Sequence, residues 1–577
     1  MTIAGGWVER AALAALLVAI VSAAFNAAAP LVRVSPGVLI HIRDLVAVAT
    51  GLWLASHLLT RRRPVVPAGI ALPAALWLGA MVAAALLAEV RQPFVPAVLP
   101  PLAGLLLSWT VFDLASSPSR IARIVAAVAV CGGLLAAIGL LQATGIVDAL
   151  GLAPLAEMRT IRVGDFARLV STLEHPNSAA MALGLSVPLS LGATLSARQW
   201  PARALFGLCL LLGLAGLVLT LSRGALAAMV VALAVTAATA VWRSQRRLLV
   251  GAAVSAASLV VLVALAMLLS QVAALRLSGV PEERWHAAQY ALPATLNARA
   301  GDELTVGVRL TNAGVRTWES AGPAPVLLSY HLLDAQGNQV TYDGVRTPLQ
   351  ADVAPGASQE VRARVVAPAR PGEYRVQWDL LQEGTAWLSW HGAQVAESRL
   401  LVEGPAAAPA ADAETGGTPW PSERNLSPVG PNRPSIWRVA LRMVADRPLL
   451  GVGPDGFRPH FNLYAQGEAR ALHAHNLYLH ILVESGMLGL LGFGWASWRL
   501  AVGLIRASAS GVRLDLWPLV LLGSLTTWYA YGLVEYGLHS ETASILFWTV
   551  IGLAAAVALR PLPRAETRVL ERHADRV

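Results

Sequence analysis

The chain has 577 residues and a formal net charge of +9; 56% of its residues are hydrophobic and only 14% are charged. Several apolar runs are each long enough to cross a hydrocarbon core of about 30 Å, which excludes an ordinary soluble domain. The positive balance does not point to nucleic acid, because the arginines sit in short clusters between apolar runs, as the positive-inside rule expects of a membrane protein.

Residues 1–273 are expected to hold nine spans, near 11–30, 38–59, 68–89, 94–114, 121–143, 177–196, 202–221, 223–242 and 249–272. No small-residue cleavage site follows the first apolar stretch, so that stretch reads as a retained span. Cys131 and Cys209 both fall inside apolar runs and read as small core residues, not as a disulfide or metal site. Placing the N-terminus inside makes the clusters Arg61 to Arg63, Arg120 and Arg123, Arg198 and Arg203, and Arg243 to Arg247 cytoplasmic.

Within 274–404 the pattern changes to alternation, as in Leu304, Val306, Val308 and Leu310 and again in Tyr374, Val376, Trp378 and Leu380. Turn signals such as Pro355-Gly356 and Pro371-Gly372 separate these strands at a spacing that suits a small antiparallel, immunoglobulin-like sandwich. Trp378 is most simply core, whereas Trp387 and Trp390 could be core or could stack on sugars. Residues 405–432, rich in Ala, Pro, Gly and Ser, read as a flexible linker. Residues 433–475 read as an outer-face helical loop, and 476–562 as the last three spans, near 484–505, 515–534 and 541–560; 563–577 form a basic cytoplasmic tail. The expected fold is thus an all-α polytopic membrane protein of about twelve helices with an inserted all-β, extracytoplasmic sandwich. Both termini are then cytoplasmic, and the chemistry belongs to the outer loops, 144–176, 274–475 and the short one around His539.

The pair His475-Asn476, followed after nine residues by Gly486, carries the strongest chemical signal. Eleven residues are about three helical turns, so His475 and Gly486 would share one helix face, with the small residue permitting close helix packing. A histidine at the membrane boundary titrates near neutral pH and can take a proton from a sugar hydroxyl; the plainer alternative is an interfacial residue that only satisfies hydrogen bonds. His473 either assists it or faces water. Glu484 lies one turn below His480, at a spacing that permits a pair.

This pattern resembles the O-antigen ligase and polymerase superfamily, whose hallmark is His, then Asn, Ser or Gln, nine residues and Gly. Three further patches fit the resemblance: Leu173-Glu174-His175-Pro176-Asn177-Ser178, Thr220-Leu221-Ser222-Arg223-Gly224-Ala225, and Asp446-Arg447-Pro448-Leu449-Leu450-Gly451-Val452-Gly453. The sandwich insertion departs from the family, whose outer loop is shorter and largely helical. The resemblance implies an inverting, metal-independent transfer of an undecaprenyl-diphosphate-linked glycan, without cofactor, to a glycan, lipid or protein acceptor. It takes place at the outer face of the cytoplasmic membrane. His475 would be the catalytic residue. Arg223 and Arg433 match arginines that the family uses for the diphosphate, and Arg168 matches more weakly. Guanidinium forks suit diphosphate oxygens independently of any family, although an arginine at a span end can simply snorkel to the headgroups. His175, Asn177, His473 and Asn476 can line the site, and Asn177 can instead cap the helix after Pro176. The alternative function is a transporter or flippase of the same lipid-linked glycan, which would favour charges at mid-membrane depth.

Overall fold

The computed structural model describes residues 3–25, 32–35, 38–40, 42–88, 94–143, 162–163, 166–173, 175–280, 284–322, 324–337, 339–383, 386–391, 393–404, 433–465, 471–509 and 516–560. Arg159, Glu174, the expected linker 405–432 and the expected tail 563–577 lie outside the described residues.

The chain divides into two compact units, one of 1–161, 168–266 and 431–577, the other of 162–167 and 267–430. The first unit is helical. Its helices are α1 Ile3–Ser22, α2 Ile42–Thr60, α3 Ala68–Leu87, α4 Phe94–Leu114, α5 Pro118–Ala143, α6 Pro176–Ser196, α7 Trp200–Leu219, α8 Arg223–Trp242 and α9 Arg246–Leu269. After the inserted unit, which opens with the short α10 Gln271–Leu277, come α11 Arg433–Asp446, α12 Phe457–Tyr464, α13 Leu477–Ala509, α14 Trp517–Tyr531 and α15 Glu541–Leu559. A small hairpin, β1 Val32–Ser35 with β2 Val38–Ile40, lies between α1 and α2.

Among the described residues ten helices are long and apolar enough to cross a membrane. The sequence led us to expect twelve. The two that fall short are α2, whose apolar stretch is Asp44–Thr60, and α14, with 15 residues. The apolar run of α14 continues to Val534, but the helix stops at Tyr531 and Gly532 and the chain unwinds there to carry Glu535. Helix α6 is the buried axis of the bundle, with 89% of its apolar window covered, and it packs against α5, α7, α8, α14 and α15. Its small residues allow this: a Cβ on Gly184 would meet the Thr527 methyl at 2.7 Å, and one on Gly192 would meet Val520 at 2.9 Å.

Helix α13 departs from the sequence reading. Gly486 does not pack a continuous helix face; it breaks the helix, at φ +64° and ψ −169°. A break exposes backbone groups that must find partners. The segment Pro448 to Gly453 supplies them: Val452 and Gly453 donate to the Val483 and Glu484 carbonyls at 2.8 and 3.0 Å. In return, Met487 and Leu488 donate to Pro448 and Leu449 at 2.8 and 3.2 Å. Gly451 and Gly453, at φ +73° and +95°, let this strand-like segment turn against the helix. The Pro448 to Gly453 patch and the motif glycine are two halves of one backbone clasp.

The second unit holds strands β5 Ala288–Ala291, β6 Thr295–Arg299, β7 Glu303–Asn312, β8 Val326–Asp334, β9 Gln339–Thr341, β10 Thr347–Pro348, β11 Ser358–Val366, β12 Gly372–Gln382, β13 Ala386–Trp387 and β14 Ala396–Glu403. The hairpin β3 Arg162–Val163 with β4 Phe166–Ala167 also clusters with this unit. One sheet runs β10-β8-β12-β14-β6, with β9 beside β8 and β13 beside β12, and the other runs β11-β7-β5. Alternate residues of both sheets, Val306, Val308 and Leu310 on one and Tyr330, Val376 and Trp378 on the other, share one core. The pairing is not wholly antiparallel as expected, because β6 joins β14 in parallel. Trp318, Trp378 and Trp387 are all buried, so none of these three is displayed to a glycan; the Trp390 side chain lies outside the described residues.

Gly486→Ala would drive a Cβ into the Leu449 carbonyl at a backbone angle unfavourable for L side chains. It should cost about 3 kcal/mol or more of stability. Gly494→Ala, whose Cβ meets nothing within 4 Å, is the control. Thermal unfolding of the two purified variants checks this: equal midpoints would contradict the clasp.

Candidate active site

The site forms where four loop and helix ends meet around one carboxylate. Glu535, in the turn between α14 and α15, has a side chain only 2% exposed. His475 Nδ1 lies 2.9 Å from its Oε1, the Asn177 side-chain amide donates to its Oε2, and its oxygen also accepts the Tyr536 backbone N–H at 3.0 Å. Arg433 Nη2 approaches Oε2 at 3.5 Å. Burial pushes the Glu535 carboxyl up, but the hydrogen bond and charge of His475 outweigh it and bring the group down to about 2. An ionised carboxylate only accepts hydrogen bonds, so His475 Nδ1 carries a proton, and in the neutral imidazole the lone pair is then on Nε2.

Three consecutive residues hold His475 in place. His475 meets Glu535, Asn476 Nδ2 donates to the Leu533 carbonyl at 2.9 Å, and the Leu477 N–H donates to Gly532 at 2.7 Å. Asn476 Oδ1 also accepts the Leu479 N–H at 2.9 Å and so caps α13. The asparagine of the motif is therefore an anchor. His475 itself sits at φ +47°, a left-handed conformation that a histidine adopts only when its surroundings impose it.

The expected arginines arrive from separate elements. Arg168 is buried, donates from Nε to the Thr220 carbonyl at 2.8 Å, and reaches the Asn177 Oδ1 at 3.4 Å with Nη2. Arg433, the first residue of α11, is half-exposed beside Glu535. Arg223, the first residue of α8, is exposed, and its side chain has no hydrogen-bond or ion-pair partner among the described residues. It starts beside the same turn: Ser222 Oγ lies 2.6 Å from the Tyr531 hydroxyl, and Gly224 packs against Tyr531 and Val534.

Residues 387–494 match the family model described as O-antigen ligase. This chain carries an O-antigen ligase domain. The match contains Arg433, His473, His475, Asn476 and Gly486, while Arg168, Asn177, Arg223 and Glu535 lie outside it and join its residues through the fold. With its apolar helices, the ligase domain makes this a multi-pass membrane protein and supports a glycosyltransferase-type activity at a membrane. No curated protein matches the chain. Among solved structures, Pseudomonas fluorescens alkylpurine DNA glycosylase AlkC bound to DNA containing an abasic site analog is similar over 57% of this chain and 97% of that chain. The identity is 12% and the TM-score 0.15, a likeness that carries no argument.

Around the ligase-domain histidine, the other expected residues take distinct places. It is His175, not Asn177, that caps α6, its Nδ1 accepting the Asn177 N–H at 3.1 Å; this frees the Asn177 side chain to bridge Arg168 and Glu535. His473 Nδ1 accepts the His475 N–H at 3.3 Å, and its ring lies 4.1 Å from that of His475 and 4.4 Å from that of His539. His473, His475 and Glu535 each offer a ligand atom, all within 4.8 Å, a spacing that could hold a cation. The Glu535 oxygens are, however, already engaged by donors, and the His473 Nδ1 lone pair faces the His475 N–H. Glu535 is the residue that sequence reasoning missed. Its signal was a lone carboxylate between Asp515 and Glu541, in the outer turn already singled out around His539.

Burial, then the Arg168 charge, lowers His175 to about 4, and burial with the charges of His475 and His539 holds His473 far below its ordinary value. In the folded chain both stay neutral, whereas an unfolded imidazole binds a proton below about pH 6.5. The stability they support is complete above that pH and lost as pH falls towards 4, on the order of 3 kcal/mol for each histidine. Unfolding midpoints measured between pH 7 and 4 should fall with acidification, and His473→Asn, which keeps an acceptor for the His475 N–H, should flatten the slope; an unchanged slope would contradict neutral burial.

Proposed function

We propose that the chain is an inverting, metal-independent glycosyltransferase that moves an undecaprenyl-diphosphate-linked glycan onto an acceptor hydroxyl at the outer face of the cytoplasmic membrane, with both termini cytoplasmic. We read the inserted β unit as an immunoglobulin-like module on that outer side. The observation that carries the transferase reading is the 2.9 Å contact of His475 with the buried Glu535, which Arg433 approaches directly and Arg168 reaches through Asn177.

Glu535 fixes the imidazole so that Nε2 faces the substrate as a base. Nε2 takes the acceptor hydroxyl proton as the acceptor oxygen bonds to the anomeric carbon from the face opposite the leaving group. The bond from that carbon to the phosphate oxygen breaks, and the diphosphate departs with the electron pair. Arg433 and Arg223, with Arg168 behind them, neutralise the charge that gathers on the leaving oxygens. No metal is needed for either step, since the base is an imidazole and the counter-charge is guanidinium.

Transfer from purified lipid-linked oligosaccharide, measured in membranes of a host lacking its own ligase and polymerase, tests this reading. His475→Ala should lose about 10³-fold in kcat. Arg223→Ala should raise the donor KM about tenfold or more, because it removes a charge-assisted contact to the diphosphate. Variants as active as wild type would remove His475 from the chemistry, and a wild type that only carries the lipid across the membrane would establish the transporter instead.

A further inference from the structure

A cavity borders the Glu535 to His539 turn. It measures about 360 Å³, at the low end of the roughly 300–1,000 Å³ that encloses a small ligand. Tyr536, Leu538 and His539 form one wall, and His473, whose ring touches that of His475, forms the adjoining one. None of Arg168, Arg223 and Arg433 lines it. Those three arginines suit the diphosphate; this cavity, with Arg458 as its one arginine, is built differently.

Its floor is aromatic and apolar. Trp77 of α3 and Trp548 of α15 lie 5.7 Å apart with their planes inclined by 31°, and Pro100 and Pro101 of α4 close the base. Trp77 is 5% exposed, and its buried indole N–H has no hydrogen-bond partner among the described residues. The rim is polar: Asp455, Arg458 and the pair His480–Glu484, whose Nε2 and Oε1 are 3.4 Å apart. The Ala474 N–H donates to His480 Nδ1 at 3.4 Å, which leaves Nε2 as the donor to Glu484. Glu484 also accepts the Phe457 N–H at 3.4 Å and stands on the clasp that Gly486 opens. Asp455 and Glu484 both line this half-open space, and burial, then Glu484, raises the Asp455 carboxyl. An apolar floor edged by indole rings, with carboxyl acceptors at the rim, suits a sugar ring, which has C–H groups to cover and hydroxyls to donate.

We propose that this cavity is the acceptor subsite, which takes the hydroxyl-bearing end of a glycan, seats it against the apolar floor at Trp77 and Trp548, and orients it through Asp455 and Glu484 towards His473, the neighbour of His475. The assignment rests on the transferase reading, in which the arginine side is reserved for the donor. The acceptor is then a sugar hydroxyl, not a protein side chain, and Glu484 and Asp455 are its specificity-determining residues.

The test uses the full chain in lipid nanodiscs and a diazirine-bearing alkyl glucoside as the sugar probe, with labelled residues mapped by mass spectrometry. Saturable labelling is expected on the walls around residues 77–101 and 544–548. It should fall about tenfold or more in Glu484→Gln and in Asp455→Asn, since each loses an acceptor for a sugar hydroxyl. Asn is a safe replacement because Asp455 sits at φ +56°, which asparagine tolerates. Ala97→Trp, which fills the cavity without touching its charged rim, should abolish labelling. Added undecaprenyl diphosphate should not compete, and labelling by a diazirine-bearing polyprenyl diphosphate should persist in all three variants, which certifies their fold. Labelling around Arg168, Arg223 or Arg433, competition by undecaprenyl diphosphate, or no saturable labelling would each overturn the proposal. Saturable cavity labelling in a wild type that transfers no glycan would overturn the acceptor assignment because the transferase reading itself had failed, and that outcome is read in the transfer assay, not in the labelling.

Discussion

The buried charge of Glu535 is the constraint on which the arrangement of this site depends. A carboxylate removed from water is costly by several kcal/mol unless it is paired and its lone pairs are filled. Here the partners come from separate places in the chain: Asn177 at the start of α6, Arg433 at the start of α11, His475 just before α13, and the turn's own Tyr536 N–H. Satisfying one charge therefore fixes four helix ends relative to one another. It also explains why α14 ends where it does, because only an unwound turn can present the carboxylate to all of them.

The clasp around Gly486 does the corresponding work below. A straight helix from Leu477 would leave the Pro448 to Gly453 segment no edge to pair with, and that segment is what brings Asp455 and α12 against His480 and Glu484. The left-handed residues cluster accordingly: Leu221, Asp455 and His475 all have φ near +50°. Each sits at a turn that aims a side chain or begins a functional segment. Strain of this kind persists where packing over-determines the backbone, as it does at the junction of the helix ends.

Much of this was legible in the sequence, and the pattern of what was not is physical. Apolar length gave the helices, period-two alternation gave strands such as β7 and β12, and the resemblance singled out His475, Arg433 and Arg168, which the fold brings to one place. Spacing alone misassigned Gly486, because a period of 3.6 assumes that the helix continues, whereas a glycine is as apt to end it. Asn177 looked like a cap until His175 was seen to hold that role. Trp378 read as core and is buried, whereas Trp387 stayed open between core and sugar stacking because alternation does not say which sheet covers which face. Glu535 escaped because a single acid at a span end carries no spacing; its side-chain partners lie 60 residues or more away along the chain, a separation that only the folded structure closes.

The central claim is that Glu535 acts through His475, as a positioning residue, and the most direct test is a double-mutant cycle on the transfer rate. His475→Ala, Glu535→Gln and the double variant are compared under saturating donor and acceptor, at matched folded amounts. The account predicts strong non-additivity, with the double variant no slower than His475→Ala alone, since a carboxylate that only orients the base has nothing left to orient. Additive losses would contradict it, because Glu535 would then contribute to the transition state independently of the histidine.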